Sequence, residues 1–118
     1  MDKKEVRQKY KRTVQPMGVY QIKNLKNGKI FIGSAKNLPG KINSHKFQLK
    51  NRLHNNRSLQ KDYNEQGEAD FVFEILDNLD PKDDPNADYT KELNLLEEMW
   101  LEKLRPYDEK GYNKKKVR

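Results

Sequence analysis

Glu97 stands where an apolar helix face should run. It follows Leu93 by four residues and precedes Trp100 by three. Helical spacing therefore puts it in the stripe of Leu93, Leu96, Trp100, Leu101 and Leu104, while Glu98 points away. A carboxylate on a core-facing edge costs several kcal/mol when it has no partner. It needs a metal ion, a cation or a solvent-filled cleft; the plainer alternative is a glutamate that reaches water or pairs with a lysine. Four other side chains carry a similar double reading. His45 is either a packed helix histidine or a group that handles protons, and Lys41, one turn before it, either grips a phosphate or solvates the helix. Tyr20 reads as a sheet-face core aromatic, and Asn113, in "GYN", as a loop amide near the chain end.

These residues depend on a small set of elements to bring them together. "GVYQIKNL" and "KIFIGS" flank Asn27-Gly28, a dipeptide suited to the positive φ angles of a two-residue hairpin turn. That turn pairs Leu25 with Ile30, Asn24 with Phe31, Ile22 with Gly33 and Tyr20 with Ala35. Tyr20, Ile22, Phe31 and Gly33 then share one sheet face. "NLPGK" ends the sheet, and a helix is expected from Lys41 to about Leu53, with Ile42, Leu49 and Leu53 buried and Lys41 and His45 on a neighbouring face. After the polar "HNNR" loop, "SLQKDYNEQG" predicts a short helix with Ser58 as its N-cap and Gly67 at its end. "DFVFEIL" reads as a third strand. The proline-interrupted acidic loop "DNLDPKDDPNADY" leads into the clearest helix, "TKELNLLEEMWLEKL", which stops before Pro106. The fold class is α/β (α+β), a three-stranded antiparallel sheet flanked by helices in the order β-β-α-α-β-α.

Charge is segregated along the 118 residues. No Asp or Glu occurs from Val6 to Lys61, a stretch with fourteen Lys and Arg, whereas Asp62 to Glu109 holds sixteen acids against four bases. The net charge of +7 therefore understates one strongly positive surface, which attracts polyanions. Lys23, Lys36, Lys41, Lys46, Lys50 and Arg52 are its candidate nucleic-acid contacts. A membrane surface fits less well, because these bases do not lie opposite a broad apolar helix face. The absence of cysteine excludes disulfides, a thiolate nucleophile and a cysteine zinc site. No apolar run spans a membrane and no secretory leader is visible, so a bacterial-type cytoplasmic location is expected. The oligomeric state is not legible.

"GVY" at 18–20 and "FIG" at 31–33 resemble the paired signature of the GIY-YIG endonuclease superfamily. The resemblance runs on through "GSAKNL", the His45 helix, "LQKDYNEQG", "FVFEIL", "LLEEMWLEKL" and "GYN". It implies one nuclease-like domain over residues 17–113, between a basic arm or short helix at 1–16 and a basic tail at 114–118. It implies that Tyr20 activates or orients the attacking water, that Glu97 holds a single divalent cation, Mg2+ or Mn2+, and that His45 assists proton transfer. It also implies that Asn113 supports the site and that the substrate is nucleic acid, DNA before RNA. The second signature tyrosine is Phe31 here, and the helix arginine is Lys41, which keeps the charge without the bidentate fork. Two functions follow, a metal-dependent endonuclease or a nucleic-acid-binding or regulatory module with weakened chemistry on the same fold.

Overall fold

The computed structural model describes residues 15–84 and 86–115. The expected N-terminal arm lies outside them up to residue 14, and so does the basic tail from residue 116. Three antiparallel strands, β1 (Met17–Asn24), β2 (Ile30–Ala35) and β3 (Phe71–Leu79), form a sheet in the order β2-β1-β3. The helices are α1 (Leu38–Lys50), α2 (Arg57–Gln66) and α3 (Thr90–Leu104). The expected order β-β-α-α-β-α holds, with β1 in the centre. No helix among the described residues is long and apolar enough to cross a membrane.

The hairpin face is as expected, but its register differs by two residues. Tyr20 pairs with Gly33 and Ile22 with Phe31, because Leu25 to Gly28 form a four-residue loop. A two-residue turn of the expected type needs positive φ at both centres, and only Gly28 (φ 79) has it. Instead, the Asn24 side chain accepts from the Lys26 N–H and the Asn27 side chain from the Lys29 N–H, which closes the loop. A shift of two preserves the side-chain face, so Tyr20, Ile22 and Phe31 still pack together.

α1 starts three residues earlier than expected. Asn37 caps it by accepting from the Gly40 N–H, and Pro39 fits the first turn, where its missing N–H costs nothing. Leu38, His45 and Leu49 are its buried residues, so His45 belongs to the inward face rather than to a neighbouring one. The helix ends at Lys50, and Arg52 takes the left-handed conformation at φ 60. That reversal throws Leu53 outward, 62% exposed, against the expectation that it is buried. The cap of α2 is Asn56, which accepts from the Leu59 N–H; Ser58 is already inside the helix.

Tyr20, Ile22, Leu38, Leu49, Leu59, Phe71 and Tyr112 make the main core under α1 and α2. Met17, on the other sheet face by strand alternation, clusters with Tyr89 and Leu93. α3 is half-buried along its predicted stripe, with Leu93 buried and Leu95 and Met99 exposed. Its Trp100 donates to Asp77 on β3 at 3.1 Å.

The signature glycines mark places with no room for a side chain. A Cβ on Gly18 would lie 2.0 Å from the Asp77 carbonyl oxygen, where β3 crowds against β1 beside a bulge. A Cβ on Gly33 would lie 2.4 Å from the Tyr20 hydroxyl, because that ring is laid across β2.

Candidate active site

Tyr20 reaches the site from the central strand and is 2% exposed. Its hydroxyl lies 2.6 Å from Nε2 of His45, which α1 directs inward. Nδ1 of His45 lies 2.7 Å from Nε2 of His54, and Nδ1 of His54 accepts the backbone N–H of Asn56 at 3.0 Å. The two imidazoles stack with centroids 4.9 Å apart, and Phe31 packs in T-shaped contact with both. Phe31 thus keeps the ring packing of the site without contributing a hydroxyl.

His54 was not anticipated. It sits in the "HNNR" segment, outside any periodic element, and the left-handed turn at Arg52 brings it back over α1. Gln60 holds it by accepting the His54 backbone N–H and donating to the Leu49 carbonyl. A usable signal did exist, since the chain has only two histidines and they lie nine residues apart.

The electrostatics follow from burial and three nearby charges. Burial, then the charges of His54 and Lys41, lower the pKa of His45 from 6.5 to about 4. Burial above all, and the Lys41 charge, also lower that of His54. Both rings are therefore neutral at pH 7. Burial, then the negative charge of Glu97, raises the Tyr20 pKa well above the ordinary phenol value. Lys41, though exposed, thus acts on the histidine pair, and Glu97 acts on Tyr20. Pro39 and Gly40 leave the start of α1 in a regular capped helix.

Because folded His45 refuses a proton that the unfolded chain takes, stability falls as pH drops from about 6.5 towards 4. Urea unfolding at pH 7 and pH 4.5 should show a steeper acid loss for the native chain than for His45→Gln. Parallel losses would mean that His45 titrates normally.

Asn113 bonds the backbone of β2. Its amide accepts from the Ile32 N–H and donates to the Ile32 carbonyl, both at 2.8 Å, fixing the backbone of β2 between Phe31 and Gly33. Asn56 works in the same way one layer away, donating to the Tyr112 carbonyl at 2.6 Å. Of the candidate basic contacts, Lys36, Lys41, Lys46, Lys50 and Arg52 are exposed and Lys23 is half-buried. Lys46 lies over the Phe73 ring, and Lys36 makes only an exposed contact with Asp88 at 3.8 Å. Such a contact is worth little and leaves Lys36 able to meet a phosphate.

Among the described residues, no group of three or more His, Cys, Asp or Glu is gathered as a metal cage. All four imidazole nitrogens are engaged in the bonds above, so the histidines are not available as ligands. Glu97, whose charge acts on Tyr20, offers a carboxylate, a hard oxygen suited to a hard cation whose other positions go to water and phosphate. The residues therefore fit one weakly held divalent ion.

The strand-borne Tyr20, the helix histidine that holds it and the Glu97 charge that acts on it form one candidate site. The sequence matches the GIY-YIG catalytic domain over residues 16–113, and the chain belongs to that family. Intron-associated endonuclease 1 of Enterobacteria phage T4 is 32% identical over 88 residues, covering 74% of this chain. The chain spans about a third of that relative's length, 32%. The solved catalytic domain of homing endonuclease I-TevI superposes with a TM-score of 0.68 at 29% identity, covering 82% of this chain and 96% of the other. A mutant of the same catalytic domain gives 0.65 at 30% identity, covering 84% and 93%.

Proposed function

We propose that this domain is a divalent-metal-dependent endonuclease that hydrolyses phosphodiester bonds in DNA. The observation that carries the reading is the buried Tyr20–His45 bond of 2.6 Å, set within the fields of Glu97 and Lys41 on the family scaffold. Glu97 would hold the cation, Mg2+ or Mn2+, which when bound supplies Lewis-acid stabilisation of charge on phosphate oxygens. Tyr20 orients the attacking water with its hydroxyl, and His45 holds that hydroxyl in place. Lys41 offers positive charge to the phosphate. Asn113 and Gly33 position β2 so that the Tyr20 ring has its place.

A supercoiled-plasmid nicking assay with magnesium or manganese tests this. Metal-dependent conversion to nicked circles is expected, and none over a range of DNA substrates would overturn the reading. Binding should weaken steeply with salt, as expected for lysine–phosphate contacts that release counterions. Replacing Lys46 and Lys50 should weaken it more than replacing Lys82 and Lys91, which lie in the acidic half of the chain. A salt-independent affinity would count against DNA as the substrate.

The two departures from the family signature give a further expected result. Lys41→Arg with Phe31→Tyr should raise nicking by about tenfold, through a bidentate phosphate contact and an added hydroxyl. Unchanged rates would show that the lysine and the phenylalanine already serve the site fully.

A further inference from the structure

The hydrogen bonds around the histidine pair have only one consistent direction. The Asn56 backbone N–H can only donate, so the His54 Nδ1 that it meets at 3.0 Å carries no proton. Neutral His54 therefore has its proton on Nε2, and it gives that proton to Nδ1 of His45, 2.7 Å away. His45 in turn keeps its single proton on Nε2, where Tyr20 is the partner at 2.6 Å. The low proton affinity of His45 agrees with a neutral ring of one tautomer.

We propose that the Asn56 backbone N–H sets the direction of this whole chain of bonds, so that His45 donates to Tyr20 and cannot take its proton. Tyr20 then keeps its own proton and can donate it in a hydrogen bond to the attacking water, while its oxygen is held by the His45 N–H. Asn56 and His54 are positioning residues that act through His45. The Asn56 backbone is itself anchored three ways. Its side-chain oxygen caps α2, its amide nitrogen bonds the Tyr112 carbonyl, and its N–H meets His54. This inference rests on the nuclease reading for its catalytic meaning, but its test does not require nuclease activity.

Nitrogen-15 NMR of the full chain with labelled histidine reads the tautomers directly at pH 7. Both rings should be protonated on Nε2 and unprotonated on Nδ1. A proton on Nδ1 of His45 would overturn the proposal even if the protein nicks DNA; the expected tautomers with no nicking would sink only the nuclease reading. Asn56→Ala and Asn56→Pro both lose the side chain, but only proline loses the N–H, and the backbone φ of −83 there is close to what proline adopts. The alanine variant should keep the tautomers, whereas proline should release His54 to a mixture of both. A folded proline variant with unchanged tautomers would refute the pin.

Because the proline variant can fail to fold, His54 supplies a second pair. His54→Gln keeps an N–H able to face His45 Nδ1, and His54→Leu does not. With leucine, His45 should populate both tautomers and nicking should fall about 100-fold; with glutamine the loss should stay under about tenfold. Equal losses in the two variants, with His45 still protonated only on Nε2, would refute the role.

Discussion

Glu97→Ala is expected to lower metal-dependent nicking by about 1000-fold, while Glu98→Ala leaves it within about twofold. The two carboxylates are adjacent on α3, but the half-buried Glu97 acts on Tyr20 and the exposed Glu98 borders the outer face with Leu95 and Met99. The comparison therefore isolates position from charge. A cation held by one protein carboxylate is held weakly, so magnesium should perturb NMR signals around Glu97 and Tyr20 more strongly once a DNA fragment is present. Perturbations confined to the acidic loop of Asp80, Asp83, Asp84 and Asp88, or full activity in Glu97→Ala, would show that the metal assignment is wrong.

Gly33→Ala should be nearly as damaging. The added methyl would meet the Tyr20 oxygen at 2.4 Å and ring carbons at 2.6 and 3.0 Å, so the ring has to move. Forcing a methyl into a packed place of this kind costs about 1–3 kcal/mol in stability. The catalytic cost should be larger, about 100-fold, because the displaced hydroxyl also leaves His45. Thermal unfolding and nicking rates measured on the same preparation separate the two effects. Nicking within about tenfold of the native rate would mean that the Tyr20 hydroxyl does not need its present place. Substituting the exposed Ala69 by Ser offers a matched control on handling and folding.

Much of the site was legible because its residues break periodic patterns. Glu97 interrupts an apolar stripe, and a fixed period makes the interruption visible. Tyr20 and Gly33 were placed on one face because strand alternation survives a register shift of two. The register itself was not legible, since the Asn24 and Asn27 side chains, rather than backbone propensity at Asn-Gly, decide the loop length. The helix starts earlier than its sequence suggests because the Asn37 cap makes Pro39 a first-turn residue instead of a breaker, and His45, three residues after Ile42 and four before Leu49, lies on their inward face. His54 escaped because no period governs the segment after Arg52. Its place is fixed by one left-handed residue and by a long-range partner, Gln60. Asn113 bonds the backbone of Ile32, a contact across 81 residues that no sequence period announces.

The Asn113 clasp also places the domain in time. Its partner Ile32 lies 81 residues upstream, and the neighbouring Tyr112 N–H bonds the Ile30 carbonyl. During synthesis the hairpin, both histidines and Glu97 therefore emerge from the ribosome before the segment that braces β2 against them. Until residues 111–113 arrive, β2 is an uncovered outer strand, open to pairing with other chains. A nascent chain short of Asn113 thus carries Tyr20, both histidines and Glu97 before the segment that fixes β2 is present.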